Sequence, residues 1–138
     1  MTTTLNRPAA RPAALAARRL WFAADALVTG ANAVVYLAAA GPLADLLGGD
    51  AGTWRVVGAL LLAYAALVGL YARSPRSRRI GWALVAANLA WVVASLDVAV
   101  TGALDLDPLG RAWVVAQALV VAGFAGLQTR VLRATLQA

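Results

Sequence analysis

Hydrophobic positions along this 138-residue chain fall in four long runs separated by short polar segments. The uncharged stretches 26–44, 56–72, 80–96 and 112–129 are each 17 to 19 residues long. At ~1.5 Å of rise per residue, helices of that length approach the ~20 residues needed to cross ~30 Å of bilayer hydrocarbon. The pattern predicts helices at about 20–40, 54–73, 80–102 and 109–129. Gly41-Pro42 reads as the stop of the first, and Gly48, Gly49 and Gly52 as a loose connection to the second. Pro75 and Ser77 break the chain before the third, and Asp107-Pro108 opens the fourth, with Asp as N-cap and Pro at the first helical position. Connections this short make neighbouring helices antiparallel. The expected fold is an all-α integral membrane protein, an up-and-down bundle of four transmembrane helices. Residues 1–19 read as a basic cytoplasmic tail, helical from about Pro12 and lying against an anionic leaflet, 20–129 as the transmembrane domain and 130–138 as a short cytoplasmic tail. An offset of 56 residues superimposes Ala31-Asn32 on Ala87-Asn88 and Arg55 on Arg111, the pattern of two repeated helical hairpins.

Composition removes many chemistries. The chain is 62% hydrophobic and 13% charged, where an ordinary soluble domain carries about a quarter charged residues. It has no His and no Cys, so imidazole and thiolate metal ligation, thiol catalysis and disulfide exchange are excluded, and neither a metal nor a cofactor is expected. All basic residues are Arg and all acids Asp, which excludes a Schiff-base lysine and a catalytic Glu.

The net charge of +6 would suit nucleic acid only if the arginines shared a solvated face with stacking aromatics. They lie between apolar runs instead, so no nucleic-acid partner is expected and the bilayer is. Arg7, Arg11, Arg18, Arg19, Arg73, Arg76, Arg78, Arg79, Arg130 and Arg133 fall on one side of the spans. Arg55 and Arg111 fall on the other, beside Asp45, Asp50, Asp105 and Asp107. This positive-inside bias predicts a bacterial-type plasma membrane protein with both termini cytoplasmic. Arg18-Arg19-Leu20-Trp21-Phe22 has a faint likeness to a twin-arginine export signal, with Ala38-Ala39-Ala40 as cleavage site, but Asp25, Asn32 and Tyr36 interrupt the apolar run between them.

Polar residues inside the spans carry the candidate chemistry. Asp25, Thr29, Asn32 and Tyr36 recur at i, i+4, i+7 and i+11, one stripe of the first helix. Asn88, Trp91 and Ser95 share a face of the third helix; Trp113, Gln117, Phe124 and Gln128 share one of the fourth. Turned inward together, these faces would form a continuous polar lumen with aromatic walls. Its candidate ligand-binding residues are Asp25, Thr29, Asn32, Tyr36, Asn88, Trp91, Ser95, Trp113 and Gln117. Intramembrane amides and hydroxyls also serve as interhelical hydrogen-bond glue, so the same residues fit a purely packing role. Asp25 is the sharpest candidate because a carboxylate in a span costs ~2.5 to 3.5 kcal/mol on insertion scales. A salt bridge to Arg18, seven residues earlier on the same face, is its structural alternative. Asp97 suits an ion pair with Arg111 or Arg55. Gly58, Ala65 and Gly69 form a small-residue ridge on the second helix, opposite Tyr64 and Tyr71. Trp21, Trp82 and Tyr71 read as anchors at the membrane interface.

Three function classes fit this pattern. One is a structural membrane subunit that packs against itself or a membrane partner. Another is a binding or transport protein for a small amphipathic or cationic molecule, with Asp25 as counter-ion or proton site. The third is a membrane-embedded acid–base enzyme, an isomerase or cyclase, with Asp25 as its catalytic general acid. The enzyme reading requires Asp25 on the wall of a cavity of ~300 Å³ or more.

Overall fold

The computed structural model describes residues 7–134; the outermost parts of both expected tails, 1–6 and 135–138, lie outside the described residues. Helix α1 spans Arg7–Ala38, α2 Ala40–Leu47, α3 Ala51–Arg73, α4 Arg78–Thr101 and α5 Pro108–Ala134. All but α2 contain a stretch long and apolar enough to cross a membrane: Pro12–Ala38, Ala51–Arg73, Arg78–Thr101 and Pro108–Ala134. The protein is a multi-pass, all-α membrane bundle, as the four apolar runs predict.

The boundaries differ from expectation at three places. Helix α1 begins at Arg7 and runs unbroken through residues 19 and 20, because the Ala- and Arg-rich sequence there consists of strong helix formers. Helix α5 continues past residue 129 to Ala134. Gly41-Pro42 does not end helical structure either. The chain bends at Ala39 and re-enters a helix in which Gly41 and Pro42 occupy the first turn, where a missing N–H breaks no helical bond. Asp107-Pro108 behaves as predicted: α5 starts at Pro108, and the Asp107 carbonyl accepts from Arg111 N at 2.9 Å.

Helices α1 and α3 pack most extensively against each other, α4 and α5 next, and α1 against α5 joins the two hairpins; α3 and α4 touch least. The small-residue ridge explains the first pairing. Built Cβ atoms on Gly30 and Gly69 would stand 3.6 Å from the Ala65 Cβ and 3.7 Å from the Ala26 Cβ, ordinary van der Waals contact. At Gly58 the approach is closer: a Cβ would lie 3.0 Å from both the Leu37 Cγ and the Tyr36 Cβ, and 3.2 Å from the Ala33 carbonyl oxygen. Close backbone approach of this kind is how helices gain packing energy where lipid offers no hydrophobic drive.

The two ends of the bundle are built differently. At the arginine-rich end Phe22 packs edge-on against Tyr71 with ring centroids 4.7 Å apart, within a core completed by Val68, Leu84, Val85 and Leu132. Tyr71 is therefore a core residue and not an interface anchor. The Arg18 guanidinium donates to the Pro75 carbonyl at 2.7 Å, tying α1 to the α3–α4 connection. At the opposite end the two connections are zipped together. Gly49 N donates to Asp105 O at 3.1 Å and Asp107 N to Leu47 O at 2.9 Å, flanking a bridge between Gly48 and Leu106. Gly48 sits at φ +80° with the Asp107 amide against its α-carbon, so any side chain there is strained and obstructed.

Two predictions follow from these contacts. Gly58→Leu should lower stability by about 1–3 kcal/mol, the cost of overpacking, while Gly30→Ala should be neutral or stabilising; thermal unfolding in detergent distinguishes them. Asp50 caps α3, its carboxylate accepting from Thr53 N at 2.9 Å and from the Thr53 hydroxyl. Those bonds, the hydroxyl first and then the backbone N–H, hold its pKa below the usual aspartate range. The capping contribution is thus fully present above the ordinary carboxylate pKa and lost as pH falls through the lowered one. The stability difference between the wild type and Asp50→Ala should follow that course, with the Asp50 titration itself read by NMR.

Candidate functional site

The α1 stripe does face the bundle interior, but its members divide between two environments. Asp25 is fully buried, and its carboxylate is bound from three helices. Oδ1 accepts from the Thr29 hydroxyl at 3.0 Å. Oδ2 accepts from Gln128 Nε2 at 2.7 Å and from Asn88 Nδ2 at 2.9 Å. Asn88 Nδ2 also donates to Gln128 Oε1 at 3.1 Å. Both amides turn nitrogen toward the carboxylate, since only that end can donate. Among the described residues no arginine bonds Asp25, so the alternative of a salt bridge to Arg18 is not realised. The result is a closed polar layer of Asp25, Thr29, Asn88 and Gln128 linking α1, α4 and α5.

Beyond this layer, toward the zipped end, lies a cavity of about 240 Å³ between α1, α3, α4 and α5. Its wall is mostly apolar, with Val57, Leu61, Val98, Val114, Val121 and Phe124 among the lining residues. Thr29, Asn32, Tyr36, Trp91, Ser95 and Gln117 supply the polar and aromatic positions anticipated from the sequence. Asn32 Nδ2 donates to Gln117 Oε1 at 3.0 Å, joining α1 to α5 across the cavity wall. Trp54 packs edge-on against Tyr36 with centroids 5.0 Å apart, and its indole N–H donates to Gly48 O at 3.0 Å. Trp54 thus lines that end of the cavity together with Gly49, Leu104 and Leu106 of the zipped loops.

Of the nine candidate residues, six line the cavity and Thr29 belongs to both compartments. Asp25 and Asn88 do not reach the wall. Trp113 stands outside it, 37% exposed, donating to the Tyr36 hydroxyl at 2.7 Å. The continuous lumen is thus interrupted at Thr29, and Asp25 lacks the cavity access that a general acid needs. Asp97 is exposed, and among the described residues no ion pair joins it to Arg55 or Arg111. Arg111 Nε instead donates to Leu106 O at 3.3 Å. Asn32 and Asn88, equivalent under the 56-residue offset, play different parts: one lines the cavity, the other binds Asp25.

Two important residues were not among the sequence candidates. Gln128 was placed with Gln117 on the inward face of the fourth helix but not among the ligand-binding candidates, and that shared face was the signal for it. Trp54 has no comparable signal, since one aromatic near a helix start is as common in a packing role.

Comparison with known proteins finds no match: no family model, curated protein or solved structure corresponds to this chain.

The network makes a graded prediction. Asp25→Asn retains one acceptor oxygen and can offer its N–H to Gln128 Oε1. Asp25→Leu leaves the Thr29 hydroxyl and Gln128 Nε2 without an acceptor, each costing about 1–3 kcal/mol, and leaves Asn88 only its bond to Gln128 Oε1. Unfolding midpoints in detergent should fall in the order wild type, Asp25→Asn, Asp25→Leu, and adding Gln128→Leu to Asp25→Leu should recover part of the loss. Equal stability of all four proteins would contradict the network.

Proposed function

We propose that this membrane protein binds a small amphipathic molecule in the cavity between α1, α3, α4 and α5. The carrying observation is the cavity itself: a largely apolar enclosure within the spans, lined by a small set of polar side chains, which is the usual character of a small-molecule site. Its volume of about 240 Å³ lies below the ~300–1,000 Å³ of drug-sized pockets, so the occupant is small or inserts only its head. The Asp25 layer favours a separate, structural role. Its carboxylate oxygens are fully engaged by neutral donors, which suits a device that locks the two hairpins together better than acid–base catalysis. The arginine asymmetry supports a bacterial-type plasma membrane location with both termini cytoplasmic.

The test is direct binding of 4-hydroxymethyl-7-methoxycoumarin to the protein in lipid nanodiscs, read by energy transfer from tryptophan to the coumarin. Saturable binding is expected in the wild type and its loss in Val114→Phe, which fills the cavity, without a lower unfolding midpoint. No saturable binding, or undiminished binding in Val114→Phe, would contradict the proposal.

A further inference from the structure

The chemistry of the wall restricts what the cavity can hold, given that it is a binding site. None of its lining residues carries a charge, and the two carboxylates bonded to lining residues are turned to other tasks: Asp25 lies behind Thr29 and accepts from Thr29, Asn88 and Gln128, and Asp50 caps the exposed start of α3 by accepting from Thr53. A charged molecule would lose its hydration there and meet no counter-ion, a penalty that buried ions avoid only when paired. The available polar groups are mostly donors. Gln117 Nε2, the Trp91 indole N–H and the Ser95 hydroxyl make no hydrogen bond to another described residue. What these donors lack is an uncharged acceptor oxygen.

The same wall indicates the route in. One end of the cavity abuts the Asp25 layer, and the other abuts the paired connections around Gly48 and Leu106. Three lining residues are exposed on the outside of the bundle: Val28 on α1, Ala94 on α4 and Val120 on α5. All three are mid-helix, within the candidate spans. At these three positions the lining of the cavity is continuous with the outer surface of the candidate spans.

We propose that the cavity takes a neutral, bilayer-dissolved molecule bearing an acceptor oxygen, and that this molecule enters through the helical walls and not from water. Carbonyl- or ether-bearing lipophiles are the chemical class that satisfies both constraints. Cationic amphiphiles, which would need Asp25 as counter-ion, are outside it.

Three coumarins of nearly equal size test the assignment in nanodiscs: neutral 4-hydroxymethyl-7-methoxycoumarin, cationic 4-aminomethyl-7-methoxycoumarin and anionic (7-methoxycoumarin-4-yl)acetate. The neutral probe should bind at least tenfold more tightly than either ion. Equal or tighter binding of the ammonium overturns the neutral-ligand assignment while leaving the binding cavity standing; binding of none of the three overturns the cavity reading itself. For the route, Val28→Trp, Ala94→Trp and Val120→Trp are made singly and association of the neutral probe is followed by stopped flow. At least one should slow association tenfold or more. Unchanged association in all three overturns entry from the bilayer.

Discussion

A carboxylate placed among membrane helices must find its hydrogen bonds within the protein, because lipid offers none. Asp25 meets that requirement by drawing one donor from its own helix and one from each helix of the second hairpin. The α1–α3 hairpin needs no such help, since its small residues bring the two backbones together directly. The α4–α5 hairpin is likewise a pair in its own right. The polar layer ties one hairpin to the other within the spans, together with the Asn32–Gln117 and Trp113–Tyr36 bonds, the Tyr64 hydroxyl on the Leu84 carbonyl and the zipped connections at the far end. Polar groups are thus spent where apolar packing cannot specify a register, because lipid-facing and partner-facing surfaces are equally hydrophobic.

That layer also determines where empty space can exist. Below it, Phe22, Tyr71 and Leu132 fill the interior at the arginine-rich end. Above it, the helices carry Thr29, Ser95 and Gln117 at inward positions where a core would place larger apolar side chains, and they leave a cavity of about 240 Å³. Trp54 and Leu106 then line the far side beneath the joined connections. The Asp25 layer therefore acts as the floor of the cavity, with Thr29 as the single side chain touching both. The cavity thus lies between a hydrogen-bonded layer and the paired connections, with Val28, Ala94 and Val120 of its lining exposed on the outside of the helices.

The parts legible in the sequence were those carried by local periodicity. Uncharged run lengths gave the four spans, 3.6-residue spacing gave the α1 stripe, and the Gly58–Ala65–Gly69 spacing gave a close-packing ridge, whose partner, α1, came from the structure. The division of the stripe into a closed layer and an open cavity was not legible, because it depends on which α4 and α5 residues meet each level of α1. Asn88 and Gln128 stand opposite Asp25, while Gln117 stands opposite Asn32; this is inter-helix register, which no periodicity within one helix encodes. Helix α2 was missed for a different reason. Gly41-Pro42 is a stop signal in a helix interior and harmless in a first turn, and only the bend at Ala39 decides which applies. Tyr71 was misplaced because an aromatic near the end of a span reads as an interface anchor, whereas its ring turns inward against Phe22.

The central claim is that Asp25 joins the two hairpins through direct hydrogen bonds. A dipolar recoupling measurement by solid-state NMR, with ¹³C at Asp25 Cγ and ¹⁵N at Gln128 Nε2 in lipid bilayers, tests it most directly. The donor–acceptor separation of 2.7 Å requires strong dephasing between the two labels; its absence would mean that the carboxylate is held some other way and that the floor of the cavity is not the one described.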